Sequence, residues 1–153
     1  MFDVMLLKQK VYNHYQQILT DKISALQVVL NDLKESGANE TKSTAGDKHE
    51  TALAMLQIEQ ANKRAQMDEL LAQKAVLNKI DPTIQAVQVV HGSLIKTADQ
   101  YFFISAALGK ALVEDKNIIA LSAQSPLGKI LMGLKKGATV SFNQTQFVIE
   151  EIF

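Results

Sequence analysis

Two stretches free of glycine and proline, residues 5–36 and 47–79, restrict this chain more than any other feature of its 153 residues. Long runs without either helix breaker favour continuous helix, provided that their apolar residues keep a helical period. In the first run Leu19, Ile23, Leu26, Leu30 and Leu33 recur at steps of four, three, four and three. Val11, Tyr15 and Ile18 extend that stripe upstream, while Lys22, Asp32 and Lys34 fall on the opposite, wet face. In the second run Leu53, Leu56, Met67, Leu70 and Leu77 are separated by combinations of threes and fours. Gln60, Lys63 and Lys74 interrupt a strict heptad there and leave the seam imperfect.

Between the runs, SGANETKSTAG from Ser36 to Gly46 has the small, polar composition of a loop. The second run ends before Asp81-Pro82, because proline disfavours helix in the residue ahead of it. Each helix spans about 45 to 50 Å at 1.5 Å per residue. Matched lengths joined by a short loop predict an antiparallel coiled-coil hairpin over residues 1–80.

After Pro82 the pattern changes to short β-branched and aromatic runs: VQVV before His91-Gly92, SLIKT, YFFIS from Tyr101 to Ser105, and NIIALSA from Asn117 to Ala123. These predict strands. Ser125 before Pro126 has the form of an N-cap followed by proline at the first helical position, and Leu127, Ile130 and Leu131 supply the apolar side of a short helix. ATVSF and QFVIEEI then predict two strands across the polar turn Asn143 to Thr145. The expected class is α+β: the hairpin, then residues 81–153 as a small, mostly antiparallel sheet domain carrying one short helix.

Composition removes several functions. The 16 basic and 16 acidic residues cancel, so the chain lacks the positive field of a protein that grips duplex nucleic acid by its phosphates. Without cysteine there is no disulfide, thiolate nucleophile or Cys-ligated zinc. His14, His49 and His91 show no metal-binding spacing. No Gly-x-Ser-x-Gly elbow or Gly-rich phosphate loop is present, so the chain is not expected to be an enzyme on its own. No signal peptide and no run of 18 apolar residues is seen, which predicts a cytoplasmic protein with no membrane partner.

The segment SPLGKILMGLKKGATVSF, Ser125 to Phe142, resembles a stretch of the Gre-type transcript-cleavage factors: Ser-Pro, a short apolar helix, Gly, a basic pair, Gly, then an alternating strand. Gly92-Ser93-Leu94-Ile95 is similar to the opening strand of the same domain, and Gly46-Asp47-Lys48-His49-Glu50 to the family's Gly-Asp-x-x-Glu tip. The resemblance implies an FKBP-like C-terminal domain and a transcription elongation factor that enters the secondary channel of bacterial RNA polymerase as a monomer. Asp47 and Glu50 would then help to hold a Mg²⁺ ion shared with the polymerase, none being bound by the free protein, so that the polymerase's own active centre cleaves backtracked RNA. Lys63 and Arg64 would guide the nascent RNA within that complex, and the domain carrying Ser125, Pro126, Leu127 and Gly128 would dock at the channel rim. The chemistry is compatible, since Mg²⁺ favours carboxylate oxygen and a second ion assists phosphoryl transfer.

Each of these residues also has a structural reading. Asp47 with Glu50 three residues later is a capping box, and Lys63 with Arg64 suits a solvated helix face. Where the family continues Asn-Ala-Glu-Tyr, this chain has Thr51-Ala52-Leu53-Ala54, one acid and one aromatic fewer. A channel binder that modulates or inhibits without cleavage therefore stands beside the cleavage reading, and so does a coiled-coil adaptor unrelated to transcription. The aromatics of YFFIS are expected in the core, with too few others to build the concave aromatic site of a prolyl isomerase.

Overall fold

A computed structural model describes residues 4–40 and 47–153 of the chain. Two long helices, α1 (Val4–Glu40) and α2 (Asp47–Asn78), precede seven strands and one short helix. The contacts divide the chain into two units, Ile18–Lys74 and the combination of Met1–Gln17 with Ala75–Phe153.

The helical unit follows its apolar stripe. Leu19, Leu26 and Met67 are buried, whereas Lys22, Asp32 and Lys34 are exposed. Gln60, one of the polar residues that break the heptad, donates from Nε2 to the Leu33 carbonyl at 3.1 Å. The helices are antiparallel here, because Leu33 meets Gln60 while Gly37, further along α1, meets Leu56, earlier in α2. A loop is expected from Ser36, but α1 continues through Glu40. Gly37 faces Leu56 and Gln60 of α2, where a Cβ would make only ordinary contacts, and packing between the helices outweighs the poor helix propensity of glycine.

In the other unit, β1 (Leu94–Lys96), β2 (Tyr101–Ser105), β3 (Gly109–Val113), β4 (Lys116–Ser122) and β7 (Glu151–Ile152) form a sheet of order β3-β4-β2-β1-β7. All pairings in it are antiparallel except β2 with β4. The strands β5 (Thr139–Phe142) and β6 (Thr145–Val148) make a separate two-stranded sheet. Their turn places Asn143 and Gln144 at φ of 51° and 65°, as a two-residue hairpin requires.

Three strand expectations change. VQVV is not a strand: it makes one isolated bridge, Gln88 to Lys135, and Val89 exchanges backbone bonds with Gly133 and Leu134 beyond the short helix. QFVIEEI divides, because Ile149 still donates to Ala138 beside β5 whereas Glu150 already donates to Lys96 in β1. The unforeseen β3 turns into β4 through Glu114 and Asp115, both at positive φ, where hairpins ordinarily use Asn and Gly.

All five residues of β2 are buried, instead of one alternate face. The strand is central and both its faces are covered. Phe102 and Ile104 join Leu131, Val140 and Ile149 in the core on one side. On the other side Phe103 stacks on Tyr15 of α1, with ring centroids 6.1 Å apart, and the Tyr15 hydroxyl donates to the Gly109 carbonyl at 2.8 Å.

Ser105 ends β2 with its hydroxyl buried and without a hydrogen-bond partner among the described residues. Its register neighbour Ser122 is engaged instead, accepting from Gln124 N–H at 3.0 Å. Removing an unpaired buried hydroxyl relieves a desolvation cost, so Ser105→Ala is expected to be neutral or to stabilise by up to about 1 kcal/mol. Urea denaturation at constant m-value checks this, and a loss above about 1 kcal/mol would contradict it.

Where α2 ends, the Asp81 carboxylate accepts from the Thr83 backbone N–H at 2.9 Å and from the Thr83 hydroxyl. The hydroxyl bond first, then the N–H, hold its carboxyl below the usual carboxylate range. Lys8, 2% exposed, donates to the Ile84 carbonyl at 2.6 Å and pins the same segment to α1. Burial pushes its ammonium below the ordinary lysine value, and the Asp81 charge partly opposes that shift.

Candidate functional site

The acidic pair singled out in the sequence lies at the start of α2, whose first residue is Asp47. Helical backbone from that point puts residues 47 and 50 one turn apart on the same side. Glu50 is exposed. The side chains of Asp47 and His49, the preceding loop with Lys42 and Gly46, and with them the capping-box reading, lie outside the described residues. Thr51 and Ala54 are exposed, while Ala52 and Leu53 are partly buried.

Two carboxylates are too few to enclose a divalent cation, which takes six or more oxygen ligands. Among the described residues no three of His, Asp and Glu come together as a metal site.

Further along α2, Lys63 and Arg64 share neither the same exposure nor the same surroundings. Lys63 Nζ lies 3.8 Å from Glu59 Oε1, one turn earlier, and is partly shielded; Arg64 is exposed. Both belong to the helical unit.

The Ser-Pro-Leu-Gly segment is in the other unit and begins α3 (Pro126–Leu131). Ser125 is the N-cap, in extended conformation, and its Oγ accepts from Gly128 N–H at 3.0 Å while donating to the Ser122 carbonyl at 2.7 Å. Pro126 occupies the first turn, where its missing N–H costs nothing. A Cβ on Gly128 would fall 2.0 Å from the Ser122 carbonyl oxygen, so glycine is required for β4 and α3 to approach this closely. Pro126 is exposed, Ser125 and Leu127 are half-buried, and Gly128 is buried. Pro126 and the open part of Leu127 are thus the portions of this segment that a partner could touch.

The structure also assembles a feature that the sequence reading missed. Phe102 and, some forty residues later, Phe142 and Phe147 line one cleft of about 510 Å³ together with Leu127. The Phe102 and Phe147 rings are 5.5 Å apart. Two of these aromatics come from the β5–β6 hairpin, which sequence periodicity placed in the same sheet as the rest. The only advance signal was the pair of phenylalanines flanking the Asn143-Gln144 turn. Among the described residues, no helix is long and apolar enough to cross a membrane.

No family model matches the sequence, and no curated protein matches it. Among solved structures the chain is similar to the transcription factor Gfh1, with 17% sequence identity, 90% of this chain and 92% of that chain covered, and a TM-score of 0.35.

Proposed function

We propose that this chain is a non-catalytic RNA polymerase factor of the Gre type, which carries Asp47 and Glu50 into the polymerase secondary channel. The observation that carries the reading is the position of this pair, in the first turn of the second of two long antiparallel helices. It is joined by the sequence resemblance of Ser125 to Phe142, and by the rigid cap that those residues build at α3.

In this reading Asp47 and Glu50 supply carboxylate oxygens to a Mg²⁺ ion shared with the polymerase. When bound, that ion activates water and stabilises charge on the phosphate during RNA cleavage. In the same reading their carboxylate oxygens also position a water by accepting its hydrogen bond. Arg64, and Lys63 to the extent that Glu59 leaves it available, attract the RNA backbone within the complex. Pro126 and Leu127 meet the channel rim. The factor acts as a monomer, and nascent RNA is met only inside the polymerase.

The test is a stalled, backtracked elongation complex with Mg²⁺. The chain is expected to accelerate shortening of the RNA, and Asp47→Ala/Glu50→Ala to remove at least ~10-fold of that rate, the lower range for perturbing a metal's supporting carboxylates. Polymerase binding by the double variant should persist. No acceleration by the native chain rejects cleavage stimulation.

Thr51-Ala52-Leu53-Ala54, with its missing acid and aromatic, favours a second reading in which the chain occupies the channel without cleaving. Competition with a cleavage factor for polymerase distinguishes it: displacement without RNA shortening supports the second reading, and failure to bind polymerase removes both.

A further inference from the structure

The cleft at Phe102, Phe142 and Phe147 lies wholly within the sheet-bearing unit and does not involve α1 or α2. Its volume of about 510 Å³ falls in the range of sites that take ligand-sized groups. Its wall is apolar, built by those rings and Leu127. Its charged lining residues are only Asp99 and Glu150, with no lysine or arginine. Two other acids of this unit are paired, Glu114 with Lys10 at 2.8 Å and Glu151 with Lys136 at 2.9 Å. Asp99 and Glu150 form no salt bridge among the described residues, so the rim carries two uncompensated negative charges.

One border of the cleft is β6, and every residue of that strand lines it, while β5 contributes only Phe142. β6 has a hydrogen-bonded neighbour on one side only, namely β5. An unpaired strand edge offers alternating backbone donors and acceptors to an extended chain, with apolar pockets beside it for alternate side chains. The amides of Gln100 and Gln146 add polar groups at the margin.

We propose that this cleft binds an extended peptide segment in which apolar side chains are flanked by lysine or arginine. The rings take the apolar side chains, Asp99 and Glu150 take the cations, and the open edge of β6 takes the backbone. The assignment does not depend on the polymerase reading, and its test contains no polymerase.

The full chain, isotopically labelled for amide NMR, is titrated with the end-blocked peptide Lys-Leu-Phe-Leu-Lys and with its counterpart Glu-Leu-Phe-Leu-Glu. The basic peptide is expected to shift amides of β6 and the Ala98 to Gln100 turn, and to slow hydrogen exchange along β6. The acidic peptide should bind at least ~10-fold more weakly. Asp99→Asn/Glu150→Gln changes only exposed side chains and should weaken the basic peptide roughly threefold to tenfold, as expected for two solvent-accessible ion pairs. Equal binding of the two peptides, or shifts confined to another surface, overturns the proposal. So do cleft shifts that follow protein concentration without peptide, which would assign the cleft to a second copy of the chain.

Discussion

Gly128→Ala is expected to be among the most destabilising single-methyl additions available in this protein, costing about 3 kcal/mol or more. The added Cβ would sit 2.0 Å from the Ser122 carbonyl oxygen and 2.9 Å from Ser125 Oγ. The first of these is backbone at the end of β4, the strand that pairs with both β2 and β3. It cannot rotate away as a side chain would. Relief requires α3 to move off the sheet, which breaks the Ser125 Oγ to Gly128 N–H bond and opens the core at Leu131. Overpacking ordinarily costs about 1–3 kcal/mol, and a clash with fixed backbone belongs at or beyond the upper end. Chemical denaturation of the two proteins measures the difference. Gly133→Ala is the control for glycine replacement without crowding, because nothing lies within 4 Å of a Cβ there; its φ of +84° adds only local strain. If Gly128→Ala proved no worse than that control, the close approach of β4 and α3 would be wrong.

Tyr15 carries the second large effect. It is fully buried, stacks on Phe103 and donates to the Gly109 carbonyl, so one side chain joins the α1 residues of this unit to the sheet. Tyr15→Ala leaves a ring-sized cavity and is expected to cost about 3–5 kcal/mol. Tyr15→Phe keeps the stack and gives up the hydrogen bonds of the hydroxyl, about 1–2 kcal/mol.

The same residue predicts an alkaline transition. Burial, partly opposed by a backbone hydrogen bond from Ala120, pushes the phenol from 10.0 up to about 12. Its stabilising contribution is fully present below pH 10. Between pH 10 and 12 the unfolded chain loses the phenolic proton while the folded chain keeps it, so stability falls as pH rises, by about 1.4 kcal/mol per unit at most. Lys8 acts in the opposite sense. Its lowered value means that the unfolded chain holds more protons as pH approaches 10.5, so its penalty is relieved as pH rises. The diagnostic quantity is therefore the difference between native chain and Tyr15→Phe, in which Lys8 cancels. The variant should lose its disadvantage progressively above pH 10, measured by urea denaturation across that range. A constant difference would show that Tyr15 is not sequestered.

These two positions illustrate how differently the chain's features could be read in advance. Tyr15 fell on the helical stripe from its spacing alone, although nothing in that spacing named Phe103 or Gly109 as its partners. Ser125 and Pro126 were legible as cap and first turn because capping is local, set by residues within one helical turn. Gly128 was visible as part of a motif, but its reason, the Ser122 carbonyl, arises only when β4 and α3 meet. The acidic pair likewise could be placed at a helix start from sequence, whereas its joint use by a partner's metal is a proposal about another molecule.

Sequence periodicity by itself determined the two long helices, their apolar faces, the cap of α3 and most strands, because each depends on neighbours a few residues away. Tertiary structure decided what depends on distant partners. It carried α1 through Gly37 to Glu40 alongside α2, divided the last strand by changing its partner from β5 to β1, and set β4 parallel to β2. It also brought Phe102, Phe142 and Phe147 to one cleft and left Asp99 and Glu150 at its rim. A period of two or of 3.6 states which face a residue takes; only chain topology chooses what that face meets.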